Sequence, residues 1–165
     1  MSDEGASKEE QLLAACMSNQ YDLVQSILDS PGSVKINHAN GLGHTALHYA
    51  AKTGSVECVK LLVRQKGIDA NIQESLGGNT PLHLALIYGE YEEDTLQIVK
   101  LLVKAKANLR LANKDKKLPK DLAEKDEEDI QRVLVQAELA AASNMEAANR
   151  SSSDSDDDDS DDASD

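Results

Sequence analysis

One block of residues recurs inside this chain at a fixed offset, and that recurrence limits the possible folds more than any other feature. GHTALHYAAKTGSVECVKLLV, from Gly43 to Val63, is echoed by GNTPLHLALIYG from Gly78 to Gly89 and by QIVKLLV from Gln97 to Val103. Thr45, Leu47, His48, Ala50 and Gly54 return thirty-five positions later as Thr80, Leu82, His83, Ala85 and Gly89. A period of roughly 20–50 residues marks a chain built from one supersecondary unit stacked on copies of itself.

Residues within the unit specify helices. The Thr80 hydroxyl is placed to accept from the backbone N–H of His83 as an N-cap, and Pro81 takes the first helical position, where its missing N–H costs nothing. Leu82, Ala85 and Leu86 follow at helical spacing, and the alanine is small enough to let paired helices approach. Weaker copies flank these two. QLLAACMSNQYDLVQSIL, from Gln11 to Leu28, aligns at the same offset of thirty-five, with Ala15 on Ala50, Asn19 on Gly54, Val24 on Val59 and Ile27 on Leu62. Ser7, Lys8, Glu9 and Glu10 ahead of it form a capping-box pattern. LPKDLAEKDEEDIQRVL, from Leu118 to Leu134, keeps Pro119, Leu122 and Ala123 but puts Leu118 where the capping threonine belongs. Ile130, Val133, Leu134 and Ala137 then form one helical face.

The T-x-L-H opening, the mid-repeat glycine and the V-x-x-L-L segment resemble the ankyrin repeat over roughly residues 7–140. The resemblance implies an all-α solenoid of about four repeats, near 7–35, 36–70, 71–107 and 108–140, with the terminal ones degenerate. INHANGLGHT, ANIQESLGGNT and LRLANKDKKL are similar to the projecting hairpin fingers of such proteins, and fingers and first helices are expected to line one concave surface. Residues 1–6 and 141–165 fall outside the repeats as a disordered N-terminus and as a helix end with a disordered tail.

Charge is unevenly placed. The formal net charge is -13 over 165 residues, and eight aspartates lie in the final fifteen, SSSDSDDDDSDDASD. Such a field repels nucleic acid and anionic lipid and attracts basic proteins or peptides. Cys16 and Cys58 have no CxxC spacing and are expected as reduced thiols without a disulfide. MSDEGASKEE has neither a basic flank nor an apolar run, and no eighteen consecutive apolar residues occur. The expectation is a soluble chain, cytoplasmic and nuclear, monomeric before it meets a client, and in contact with neither nucleic acid nor membrane.

No catalytic constellation stands out. His48 and His83 belong to T-x-L-H and are expected to bond finger backbone; His38 and His44 flank one finger without cysteine or carboxylate at zinc-ligand spacing. SLGGNT, Ser75 to Thr80, lacks the lysine of a phosphate-binding loop and reads as a turn. No nucleophile is paired with a base and an orienting group, so no enzyme, cofactor or metal is assigned.

Partner binding has more to rest on. The resemblance places Met17, Ser18, Lys52, Thr53, Ile87 and Tyr88 toward the groove, with Leu42 and His44 on a finger. GEYEEDTLQ carries about five residues more than the matching segment of the second repeat, adding Tyr91 beside Glu90, Glu92, Glu93 and Asp94. Tyrosine offers contact area at low entropic cost, and clustered carboxylates attract Arg and Lys. Two readings of this insertion stand side by side: a binding hot spot, or a solvated charged loop with one tyrosine packed beneath it.

The acidic tail cannot bury enough apolar area to offset the entropy of ordering and is expected to stay unfolded. Ser151, Ser153 and Ser155 each precede an aspartate by three positions, a pattern resembling sites of acid-directed kinases. The favoured function is a non-enzymatic interaction module that escorts a basic client such as a ribosomal protein or histone. The alternative is an adaptor that recognises a specific peptide in a signalling or degradation complex, with the tail serving solubility alone.

Overall fold

A computed structural model describes residues 5–164 of the chain, with side chains described for 5–148. Eight helices follow in order: α1 (Lys8–Met17), α2 (Tyr21–Asp29), α3 (Ala46–Lys52), α4 (Val56–Val63), α5 (Pro81–Tyr88), α6 (Glu92–Lys104), α7 (Pro119–Leu122) and α8 (Glu128–Ser164). Consecutive helices pack on one another as four pairs. Each odd-numbered helix packs on the next odd-numbered one, and each even-numbered helix on the next even-numbered one, so two layers run the length of the described residues. This is the helical solenoid that the repeat period predicts.

The packing follows from the recurring apolar positions. Ala15, Ala50 and Ala85 are buried at equivalent points of α1, α3 and α5, and as alanines they let these helices approach closely. Val24 and Ile27, Val59 and Leu62, and Val99 and Leu102 repeat one apolar face along the second layer. Ile130 and Leu134 of α8 close that row. Cys16 and Cys58 are free thiols within the same core.

Local chemistry starts each first helix. The Ser7 hydroxyl accepts from Glu10 N while the Glu10 carboxylate accepts from Ser7 N, so the capping box forms at α1. The Thr45 and Thr80 hydroxyls accept from His48 N and His83 N at 3.3 and 3.4 Å. In the fourth repeat no hydroxyl is available at Leu118. Asp121 there accepts from Leu118 N at 2.9 Å, and α7 spans only four residues.

The turn between paired helices needs a left-handed residue in the first two repeats: Asn19 has φ 54° and Gly54 has φ 71°. Gly89 departs from this pattern, with φ -61° and ψ 120°. Its glycine is required for space instead, because an added Cβ would press on the Thr95 side chain and sit 2.8 Å from the Ala85 carbonyl oxygen. The cause is the insertion that follows. It enters helix rather than loop: α6 has 13 residues where α4 has 8. Four of the five further residues precede the position equivalent to Val56, so α6 projects by about 6 Å at its N-terminal end.

The last helix continues to Ser164, through the positions where the sequence led to an unfolded tail from residue 151. The alanine-rich stretch that precedes them is strongly helix-forming, and propagating a helix already nucleated is cheap. Side chains of 149–165 lie outside the described residues, and the phosphorylation expectations at Ser151, Ser153 and Ser155 fall among them.

Candidate functional site

Three fingers connect the repeats. In each, one side chain organises the hairpin by accepting several backbone N–H groups. The Asn40 amide oxygen accepts from Leu42 N and His44 N, and the Asn113 amide oxygen from Asp115 N and Lys117 N, at 3.0–3.1 Å. Glu74 does this for Leu76, Gly77 and Asn79 at 2.7–3.0 Å. Burial works against its charge, yet these N–H groups hold its carboxyl below the usual range. Neighbouring fingers then join edge to edge, Ser75 N donating to Leu42 O and Lys114 N to Gly77 O at 2.9 and 2.8 Å.

The two T-x-L-H histidines tie each first helix to the next finger. His48 Nδ1 accepts from Thr45 N at 3.1 Å, which leaves Nε2 to carry the proton and donate to Asn79 O at 3.0 Å. His83 repeats this arrangement with Thr80 N at 3.1 Å and Lys117 O at 3.0 Å. Both rings are fully buried. Burial depresses His48 to about 4 despite the opposing pull of the Asn79 carbonyl, and it lowers His83 in the same direction. These are neutral structural imidazoles, as expected from the sequence. His44 stacks on Tyr49 with ring centroids 5.1 Å apart, and its Nδ1 is buried without a hydrogen-bond partner among the described residues.

At the opposite end of α3 and α5 lies a shallow depression. Lys52, Thr53, Tyr88, Glu90, Tyr91 and Asp94 line it, together with the Asn19 and Gly54 turns. Six of the residues singled out from the sequence therefore meet at one place. The Lys52 ammonium sits 4.7 Å from the centroid of the Tyr88 ring, a cation–π contact that orders one lip. Tyr91 is 68% exposed, so it is not packed beneath a loop. The Thr53 hydroxyl is already committed, bonding Tyr49 O and Ser55 Oγ at 2.8 Å each. Glu92, Glu93 and Asp94 occupy the first turn of α6, where carboxylates offset the positive end of the helix dipole. Their placement thus serves the extended helix, and of the three only Asp94 also lines the depression, together with Glu90 ahead of the helix.

The remaining sequence candidates are distributed more widely. Met17 and Ile87 are exposed at 52% and 43% on α1 and α5, outside this depression. Leu42 lies on the first finger, at the N-terminal side of α3 and so away from Lys52. An exposed residue that sequence reasoning did not single out is Leu76, at 70% exposure on the second finger; it follows Ser75, whose N–H bonds Leu42 O across the finger edge. Among the described residues no helix is long and apolar enough to cross a membrane.

This geometry of stacked helix pairs with projecting, edge-joined fingers defines an ankyrin-type interaction scaffold. A family model described as ankyrin repeats (3 copies) matches residues 12–113. An ankyrin repeat-containing protein of Saccharomyces cerevisiae is 38% identical over 153 residues, covering 87% of this chain and 84% of that protein. The chain belongs to the ankyrin-repeat family. It is also similar to protein phosphatase 1 regulatory subunit 27 of Mus musculus, 40% identical over 93 residues that cover 56% of this chain and 54% of that one. Protein phosphatase 1 regulatory subunit 12A of Rattus norvegicus is 34% identical over 123 residues, 74% of this chain but 11% of that protein. Ankyrin repeats bind protein partners, and the chain is a protein–protein interaction module.

Proposed function

We propose that this module is a non-enzymatic escort for a basic client, a protein or peptide rich in Lys and Arg such as a ribosomal protein or histone. One observation carries the reading: the exposed Tyr88 and Tyr91 share a depression with Glu90 and Asp94. The Tyr91 ring beside Glu90 and Asp94 suits a guanidinium, which stacks and forms bidentate hydrogen bonds at once, while the Lys52 ammonium already lies over the Tyr88 ring at one lip. The eight aspartates of the last fifteen residues add long-range attraction for the same client and raise its concentration near the groove. Such a client would be met in the cytoplasm and nucleus, by a module that is monomeric until it binds. Phosphorylation of Ser151, Ser153 or Ser155 would add about -1.5 to -2 charges per site and tighten the capture.

A second reading draws on the relatives named as phosphatase regulatory subunits. In it the same concave surface recognises a specific peptide within a regulatory complex, and the tail only maintains solubility. A pull-down from native extract, eluted with a salt gradient, separates the two. An escort should release basic proteins progressively as ionic strength rises. Retention of a neutral or acidic partner at high salt would favour the adaptor.

A further inference from the structure

Eight of the chain's 17 bases fall in two stretches that hold no acid: residues 58–68 carry Lys60, Arg64 and Lys66, and residues 95–114 carry Lys100, Lys104, Lys106, Arg110 and Lys114. Six of the eight are equivalent. VKLLVRQK, from Val59 to Lys66, aligns with VKLLVKAK, from Val99 to Lys106, so Lys60, Arg64 and Lys66 recur as Lys100, Lys104 and Lys106. The first repeat has Gln25, Asp29 and Pro31 at these places, and α2 still buries Val24 and Ile27. The stack therefore does not require the cations.

The structure brings three of them to one cleft. It lies between the C-terminal ends of α4 and α6, measures about 400 Å³, and is lined by Lys60, Val63, Arg64, Leu101, Lys104 and Ala105. Val63, Leu101 and Ala105 are half-buried and form an apolar floor, while Arg64 and Lys104 are exposed at the rim. Lys60 is held by Glu57 at 3.1 Å. Arg64 and Lys104 have no ion-pair partner among the described residues. A cation in the last turn offsets the helix dipole, which accounts for Lys60 and Lys104. It accounts neither for Lys66 and Lys106, exposed beyond the helix ends, nor for an apolar floor left open between cations.

On a protein of net charge -13, a cation-rimmed apolar cleft selects an occupant that is both anionic and apolar. Polyphosphates and nucleic acid backbones offer charge without an aliphatic side chain; a peptide offers both. We propose that the C-terminal ends of α4 and α6 dock an acidic peptide segment of a partner protein, which seats one apolar side chain against Val63, Leu101 and Ala105 and pairs flanking carboxylates with Arg64 and Lys104. The Arg64 guanidinium is suited to hold a carboxylate through two hydrogen bonds, and Lys66, Lys100 and Lys106 extend the attraction around the cleft. Asp94 and Lys104 are ten residues apart on α6, about 15 Å along its axis, so such a segment leaves the depression at Tyr88 and Tyr91 free. This docking stands independently of the escort reading.

A fluorescein-labelled peptide of glutamates with one central leucine, titrated with the full chain and read by anisotropy, tests this. It should bind saturably at low ionic strength and weaken as salt rises. Replacing its leucine with serine should weaken binding roughly tenfold, and so should the Arg64→Gln, Lys104→Gln variant of the protein. The Arg64→Lys, Lys104→Arg variant, which exchanges the cations, should retain binding, and Lys116→Gln, Lys117→Gln on the last finger should leave it unchanged. On saturation the amide signals of Val63, Leu101 and Ala105 should shift. No saturable binding, or equal binding by the Arg64→Gln, Lys104→Gln variant, overturns the proposal. An oligodeoxynucleotide bound as tightly as the peptide, with the leucine making no difference, overturns it as well and makes the cleft a general polyanion surface.

Discussion

Acidification should weaken this fold before its carboxylates begin to titrate. His48 is neutral when folded, accepting from Thr45 N and donating to Asn79 O, and burial holds it at about 4 against an ordinary 6.5. A folded value below the unfolded one means that the unfolded chain binds the extra proton between those limits. Stability is therefore complete above about pH 6.5 and falls as the pH drops toward 4. From pH 7 to pH 5 the loss from His48 alone is about 2 kcal/mol. His83 is shifted in the same direction by the same cause and adds to it. Glu74, whose carboxyl is lowered, loses its contribution only at still lower pH, below its ordinary 4.5. Urea unfolding at pH 7 and pH 5, with the His48 ring followed by NMR, measures both quantities. Equal stability at the two values, or a His48 midpoint near 6.5, would refute the buried neutral assignment.

Three further outcomes concern the repeats. Gly89→Ala should destabilise by about 1–3 kcal/mol through overpacking, and trimming its neighbour with Thr95→Ala should recover part of that in chemical denaturation. Gly54→Ala meets open space, so it should cost only the left-handed strain of about 1–2 kcal/mol, with no recovery from any neighbour. Hydrogen exchange should find α7 the least protected first helix, because it has four residues and Leu118 in place of a capping threonine. Protection there equal to that of α3 and α5 would contradict this.

The legible part of the fold is the part written in side chains at fixed spacing. Thr45 and Thr80 announce their caps, His48 and His83 their buried bonds, and Ala50 and Ala85 the close helix approach. Backbone pairing between Leu42 and Ser75 leaves no such trace, since any residue supplies those atoms. The organising acceptors Asn40, Glu74 and Asn113 differ in type and were hidden among turn-forming neighbours. Gly89 aligns with Gly54 yet serves a different need, because the inserted residues after it reshape the turn. Glu92, Glu93 and Asp94 before an apolar run are a helix-start signal; as a run of charge they are equally compatible with a hot spot or a solvated loop, and neither reading contains the added length of α6. Tyr91, Glu90 and Asp94 stand together in the inserted segment next to Tyr88, but only the lengthened helix explains why they share one depression with Lys52.

The division of labour between tail and groove is tested most directly by association and dissociation rates for an Arg- and Lys-rich histone-tail peptide at two ionic strengths. Three forms are compared: the full chain, the chain ending at Arg150, and the Tyr88→Ala, Tyr91→Ala variant. Long-range attraction acts chiefly on association and close contacts on dissociation. Truncation should slow capture and flatten its salt dependence. The double tyrosine variant should speed release by roughly tenfold or more if the two rings together contribute above about 1.4 kcal/mol. Truncation that leaves the on-rate and its salt slope unchanged, together with tyrosine replacement that leaves the off-rate unchanged, would contradict the escort.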